Sequence, residues 1–392
     1  MQALDGIRVI DLSRYISGPY CGELLGDMGA EVIKVETPDG EPNRHFEPSI
    51  NGFGFYNMVM NRNKKSITLQ FRSEEAKEIL TRLFQDADVI IQNFKPGTFE
   101  KMGFNWDTIH QLNPRAILVS ISGFGQNGPM AGYPGFDYIL QAMGGLMNMT
   151  GSPEGEPYLA GSFVIDYITA AYAAFATSMA LIAREKTGVG QKVEASLLNS
   201  AMSILVDAVP EDIVLHKTRT RTGNLDKNTA PVGCFKAKDD YVYVIAAMQS
   251  HWERLAEHIG RKDLISDPRF LTNNDRFKHY TEVNAYVQEW VQTKNREDIV
   301  NELNALGIPS APVLSISDFI RLPQVQSNNQ IIEVPVKGIG KIPVQGFPVD
   351  LSDTPPALTL GPPNLGEHNE EIYQQLGFSE AEIQRMKEKN VI

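Results

Sequence analysis

Asp166 stands at the head of a long apolar run, "GSFVIDYITAAYAAFATSMALIA", where an acid is most often a helix cap. A carboxylate there has two uses. It can cap the helix that the apolar run predicts, or it can attack an electrophilic carbonyl as a covalent nucleophile. The two are compatible, because backbone N–H groups and the helix dipole hold a carboxylate ionised at a helix N-terminus. A second stretch, "SGPYCGELLGDMGAEVIKVE" (Ser17 to Glu36), follows the apolar run "IRVIDLS". Strand, glycine-bearing turn, helix and an acid-terminated strand outline a dinucleotide-binding unit. That use requires G-x-G-x-x-G, whose tight turn brings backbone to a pyrophosphate. Here the glycines are Gly18, Gly22, Gly26 and Gly29, and Pro19 sits where a helix's first turn accepts it. The spacing of Gly18, Gly22 and Gly26 sets them on one helical face, which suits close packing and not a phosphate cradle.

The elements that must position these residues can be read from periodicity. Strand-like runs at Ile7–Leu12, Glu31–Val35, Ser66–Leu69, Val89–Gln92 and Ala116–Ile121 alternate with amphipathic stretches at Cys21–Met28, Ser73–Gln85 and Trp106–Leu112. This alternation predicts an α/β fold: a Rossmann-like large domain with a mostly parallel sheet. The helix from Asp166 stops at "KTGVGQ", and a further helical run is expected near Ala195–Val209. Residues 1–205 are assigned to the N-terminal part of the large domain and 206–230 to a linker, which is polar and poor in apolar periodicity. A smaller α+β domain, 231–322, opens with a hairpin turning at Asp239–Asp240. Residues 323–392 form a return segment and the C-terminal part of the large domain. There, Ser379 and Glu382 predict a capping box, and the tail is expected to pack on the first domain.

Composition narrows the function. The chain has 392 residues, 42% hydrophobic and 21% charged, with a net charge of −12. That is too long for one compact core, and the acidic balance argues against nucleic-acid partners and against an anionic membrane surface. An anionic small ligand would need lysines, arginines and backbone N–H groups gathered locally. Two cysteines, Cys21 and Cys234, give no disulfide framework and fit a reducing compartment. With no signal-peptide pattern at the N-terminus, a cytoplasmic location is expected. The segment Tyr167–Ala183 falls short of a membrane span and reads as a helix buried in a core or a subunit interface. The seven histidines are scattered, so no metal site is expected, and no H-E-x-x-H, G-x-S-x-G or G-x-x-x-x-G-K-[ST] motif occurs.

A series of blocks gives a more specific indication: "LDGIRVIDLS", "GPYCGELLGDMGAEVIKVE", "NRNKKSITLQF", "ADVIIQNFKPGTFEKMGF", "LNPRAILVSISGFGQNGP", "FDYILQAMGG", "EKTGVGQKVEASLLNSA", "LGIPSAPVLS" and "LGEHNEEI". In this order, and almost end to end, the chain resembles the family III CoA-transferases, with the related acyl-CoA racemases. The resemblance implies a Rossmann-like large domain built from both chain ends, a smaller middle domain, and two ring-shaped subunits interlocked as a homodimer. It implies transfer of coenzyme A from an acyl-CoA thioester to a small free carboxylic acid. The thioester is then a co-substrate, and no cofactor is permanently bound.

By the same resemblance, Asp166 matches the catalytic aspartate, which forms an anhydride and then an aspartyl-CoA thioester. The CoA contacts it implies are Ile16, Ser17, Leu69, Arg72, Asn93, Phe94, Lys95, Lys101, Gly135, Phe136 and Asp137. Arg72, Lys95 and Lys101 would face the phosphates. Some relatives carry an arginine where Thr37 stands here. Gly123, Gly125 and Gln126 in "SGFGQNGP" are candidate donors to the carbonyl oxygen, or a plain turn. His368 is expected to open the C-terminal helical run. A 2-methylacyl-CoA racemase is the alternative enzyme, but Phe136 stands where that branch has a proton-transferring histidine. A non-catalytic CoA- or nucleotide-binding protein is the alternative of another class. Isolated Gly223 and Gly233 in "RTGNLDKNTAPVGCF" replace the glycine run of the formyl/oxalate branch, which weakens that assignment.

Overall fold

The computed structural model describes residues 1–392, which divide into two compact units. The larger comprises residues 1–146, 159–209 and 324–392, and the smaller 147–158 and 210–323.

In the larger unit six strands form one parallel sheet: β1 (Arg8–Asp11), β2 (Glu31–Glu36), β3 (Lys64–Thr68), β4 (Val89–Gln92), β5 (Ile117–Ser122) and β6 (Lys192–Ser196). Their order is β3-β2-β1-β4-β5-β6, with every pairing parallel. The sheet is covered on both faces, which is why its strands read as near-continuous apolar runs. Successive side chains go to opposite sides. Ile10, Ile33, Ile90 and Leu118 join one core with helix α2 (Ala76–Gln85). Val9, Val32, Val89 and Ile117 join the other with α1 (Ser17–Asp27) and α5 (Val164–Thr187). Between these in the chain lie α3 (Trp106–Leu112) and α4 (Asp137–Met143).

The glycine face of α1 is a packing surface. A Cβ on Gly18 would lie 2.2 Å from the Ser13 Cβ, on Gly22 2.9 Å from an Asp11 carboxylate oxygen, and on Gly26 3.1 Å from the Asn63 carbonyl. The stripe brings α1 down onto the carboxyl end of β1 and the amino end of β3. Helix α5 is long and apolar enough to cross a membrane, yet half of it is buried inside the fold, through Ile165, Ala170, Ala173, Ala180 and Leu181.

The C-terminal tail completes the first core: Ile372, Tyr373, Ile383 and Met386 from the helices Asn369–Gln375 and Glu380–Glu388 pack there. The capping box is present, with Ser379 and Glu382 each satisfying the other's backbone. His368 precedes the first of these helices and accepts the Ser66 N–H through Nδ1.

Two segments depart from expectation. The start of the run read as helical from Ala195 belongs to β6, which is followed by α6 (Leu197–Ser203) with Ser196 as its N-cap. An edge strand of five residues running directly into a helix leaves no period long enough to recognise. The 206–230 segment read as a linker contains a helix, Ala208–Leu215. Its Ile213, Val214 and Leu215 are exposed, so no buried face imposes an apolar period. The return segment contains an antiparallel hairpin, Ile331–Val336 with Gly340–Gln345. In the smaller unit β7 (Val232–Lys236) and β8 (Tyr241–Ile245) form the hairpin expected at Asp239–Asp240, and β9 (Ser310–Pro312) pairs with β8.

Candidate active site

In the larger sheet the chain runs outward from β1 through β2 to β3, then resumes at β4 on the other side of β1. The crevice where direction reverses, beyond the carboxyl ends of β1 and β4, is where open parallel sheets bind ligands. A cavity of about 330 Å³ opens there, lined by Tyr15 and Ser17 after β1, Asn93 to Pro96 after β4, Ser122 and Gly123 at the end of β5, and Asp166.

A buried ionic network builds the loop after β1. The Asp11 carboxylate accepts from Lys64 Nζ at 2.9 Å and from the Ser13 N–H at 2.9 Å. Lys34 Nζ lies 3.1 Å from Glu41 and donates to the Ser13 carbonyl. Glu41 accepts the Tyr15 N–H at 3.1 Å, and Asn43 donates to the Tyr15 carbonyl. From the β4 side, Asn93 accepts the Arg14 N–H at 2.9 Å and donates to its carbonyl at 2.7 Å. These bonds hold Tyr15 at φ 68°, the left-handed region that a bulky side chain rarely adopts. Such strain costs roughly 1–3 kcal/mol and survives only where surroundings over-determine it, as they do here.

Asp166 is the third residue of α5 and does not cap it. The cap comes from another element: one oxygen of the Asp137 carboxylate, on α4, accepts the N–H groups of Ile165 at 2.8 Å and Asp166 at 2.9 Å. Gln141 donates to the other oxygen at 2.5 Å and accepts the Ala160 N–H at 2.9 Å. The expectation that helix N–H groups would hold Asp166 ionised is therefore corrected, because Asp137 has taken them. Burial, and then repulsion from Asp137, push the Asp166 carboxyl up to about 7, and a hydrogen bond from the Ser17 hydroxyl opposes them. Asp166 thus divides between acid and carboxylate near neutral pH.

The sequence-derived residues separate into groups. Ser17, Asn93, Phe94, Lys95, Gly135 and Phe136 line the cavity with Asp166. Arg72 and Phe94 line an adjoining cavity of about 240 Å³, together with Arg14 and Thr37. Phe94 is common to both. Ile16 and Leu69 are buried in core clusters, which leaves only their backbone to meet a ligand. Lys101 is exposed and lines neither cavity, and Asp137 is buried as the helix cap. Gly123 lies on the wall, where its Cβ would come 2.7 Å from Gly135 Cα, so two loops touch through glycines. Gln126 Nε2 is buried without a hydrogen-bond partner. Gly125, at φ 94°, serves the turn.

Sequence reasoning missed Tyr15 and Ser122. Nothing in "DLSRYIS" marks a left-handed tyrosine, because the strain depends on Glu41, Asn43 and Asn93, distant in the chain. Ser122 opens the stretch "SGFGQNGP" whose glycines were singled out, and its hydroxyl is buried at the cavity without a partner. Among lining residues Asp166 is the one carboxylate, and no histidine occurs.

Comparisons with known proteins agree with one another. A family described as CoA-transferase family III matches residues 4–369. The chain is 34% identical to a succinyl-CoA–D-citramalate CoA-transferase of Chloroflexus aurantiacus, covering 99% of this chain and 98% of that protein. It is 34% identical to a formyl-CoA:oxalate CoA-transferase of Streptomyces coelicolor, covering 100% and 99%. The crystal structure of a CAIB/BAIF family protein from Brucella suis superposes with a TM-score of 0.85 at 34% identity, covering 96% of this chain and 99% of that one.

Proposed function

The chain belongs to CoA-transferase family III and moves coenzyme A from an acyl-CoA to an acid, and on that premise we propose that Asp166 is the nucleophile. The observation that carries this reading is a single carboxylate, buried by its own fold and unpaired with any cation, facing the switch-point cavity.

In the proposed sequence the ionised Asp166 attacks the thioester carbonyl, expels CoA thiolate and forms a mixed anhydride. Thiolate returns to the aspartyl carbonyl, which releases the first acid and leaves an aspartyl-CoA thioester. The incoming carboxylate repeats the two steps in reverse. One thioester replaces another, so the reaction needs neither a resident cofactor nor ATP. Asp137 keeps the attacking carboxylate at the mouth of α5 by fixing the first turn. Low water access strengthens the nucleophile and protects the anhydride. Lys95 beside the cavity, with Arg14 and Arg72 beside its neighbour, supplies positive charge for CoA phosphates despite the acidic total. The Ser122 hydroxyl and the Gly123 loop are placed to meet the substrate oxygen.

The names of relatives point to small organic acids as acceptors, among them oxalate, D-citramalate and glutarate. A homodimer is part of the proposal. The outer face of α5 leaves Tyr172, Phe175, Met179 and Ile182 exposed, more apolar surface than one helix of a monomer ordinarily shows.

Hydroxylamine added during turnover with an acyl-CoA should inactivate the enzyme by converting Asp166 to a hydroxamate, detectable by peptide mass spectrometry. Asp166→Asn should abolish transfer and retain CoA binding. Full turnover by that variant would remove Asp166 from the mechanism.

A further inference from the structure

Asp137 has taken the N–H groups that open α5, and the donor that reaches Asp166 comes from a different element. It is the hydroxyl of Ser17, the first residue of α1. Ser17 is 5% exposed and Asp166 8%, and both line the same cavity. The packing around them fixes their register. The rings of Tyr20 and Tyr167 meet edge-on at 4.6 Å, which pins the first turn of α1 against the first turn of α5. Ser17 lies three residues before Tyr20, on the same face of its helix, and Asp166 directly precedes Tyr167. At Gly18 a Cβ would run into Ser13 and come 3.4 Å from the Asn93 side chain, so the start of α1 is also held to the loops after β1 and β4. The Ser17 hydroxyl is not needed to cap α1, whose cap position is Ile16.

A donor on Asp166 matters according to which oxygen it holds. The hydrogen-bonded oxygen is the poorer nucleophile, so the other attacks the thioester. That attacking oxygen becomes the bridge of the anhydride and departs with the first acid. The hydrogen-bonded oxygen stays behind as the aspartyl carbonyl, first of the anhydride and then of the thioester. Two middle steps act on the aspartyl carbon: thiolate displaces the first acid, and the second acid displaces thiolate. In both, that carbon becomes tetrahedral and the retained oxygen takes the negative charge. In the first and last steps the charge develops on the substrate's acyl oxygen instead, on the side of Ser122 and Gly123. A fixed donor in a buried site is worth most where charge develops.

We propose that Ser17 is a further catalytic residue, whose hydroxyl holds the retained Asp166 oxygen and stabilises the oxyanion formed on it as the aspartyl-CoA thioester is made and broken. The inference rests on Asp166 being the nucleophile. The hydroxyl donates and keeps its proton throughout, so no bond beyond those of the transfer sequence is made or broken.

The charged groups near Asp166 stand on other residues, and Ser17→Ala leaves them in place. Asp137 on α4 repels it, Lys95 on the loop after β4 shares its cavity, and Glu23 of α1 is bound to Arg62. Exchange of carbon-13-labelled acid into its own CoA ester is followed by mass spectrometry for the acetyl, succinyl and oxalyl pairs, and the pair fastest with the wild type is used. On the plateau above the acid limb, where Asp166 is ionised in every variant, Ser17→Ala should lower kcat roughly 100-fold. KM for the acyl-CoA should stay within about twofold, because the lost bond strengthens only in the transition state. The limb itself should move to higher pH, since the carboxylate loses its donor. Ser17→Thr, which keeps a hydroxyl, should recover at least about tenfold of the loss.

A plateau kcat for Ser17→Ala within about threefold of wild type overturns the proposal. So does CoA affinity, measured by calorimetry, falling in step with kcat, which would make Ser17 a ligand contact. Ser17→Thr as slow as Ser17→Ala with CoA binding intact also overturns it, because the hydroxyl would not be what was lost. These outcomes leave the nucleophile standing as long as hydroxylamine still marks Asp166 in the wild type. Silence of all three pairs, with no hydroxamate at Asp166, overturns both readings.

Discussion

Asp166 and Asp137 illustrate how a residue's role depends on what its neighbour has already taken. Asp137 accepts the two helix N–H groups, so its charge is compensated; Asp166 keeps only the Ser17 hydroxyl and is raised from 3.8 to about 7. The consequence for stability has a definite sign. Below pH 3.8 the folded and unfolded chains both carry the proton; between 3.8 and about 7 only the folded chain keeps it, so stability falls as pH rises through that window. Above it the buried charge costs up to roughly 4 kcal/mol. Asp166→Asn should therefore raise the melting temperature at pH 8, with the difference shrinking to near zero at pH 4; thermal scans at both values check it. For activity, kcat/KM should rise with pH along a limb centred near 7, as the carboxylate forms. Asp137→Asn keeps an acceptor for the helix N–H groups and removes the repelling charge, so that limb should move to lower pH. A limb that stays in place would show that burial alone sets it.

The glycine stripe of α1 acts at the scale of an element. Its small face lets the helix sit against the Asp11–Lys64 ion pair, and that pair holds the loop carrying Tyr15 and Ser17. A methyl group at Gly22 would meet the Asp11 carboxylate at 2.9 Å and Lys64 Nζ at 3.2 Å. Gly22→Ala should destabilise the fold by roughly 3 kcal/mol, since disturbing a buried ion pair leaves charge uncompensated. It should also weaken CoA binding, because the same loop borders the cavity. Denaturant titration and binding calorimetry measure the two effects. A broken dinucleotide motif and a regular spacing of small residues were enough to identify this packing face, because four-residue periodicity is a local property. The smaller elements were less legible: β6 and the helix Ala208–Leu215 are short, and the helix buries only Ala208.

For the whole molecule, the exposed row on α5 carries the prediction. Phe175 is 65% exposed and lines an apolar groove with Tyr167, Ile168, Ile182 and Val349. If a second copy covers this face, Phe175→Glu places a charge in a desolvated contact and should shift sedimentation from dimer to monomer. A variant that sediments unchanged would place the interface elsewhere. The buried half of the same helix explains why its composition resembles a membrane span: the inner face meets the sheet core, and the outer face is equally apolar.

What the sequence alone determined is whatever depends on local order: the strand and helix alternation, the packing role of α1, the capping box at Ser379, and the likeness, block by block, that singled out Asp166. Only the tertiary structure decided what surrounds that residue. It placed Asp137 on the helix start, Tyr15 in a strained turn, and the Ser17 hydroxyl on Asp166. Those arrangements join residues up to about 150 positions apart, through burial and through competition for the same N–H groups. A carboxylate's chemistry follows from its solvent and its partners, and neither is written next to it in the chain.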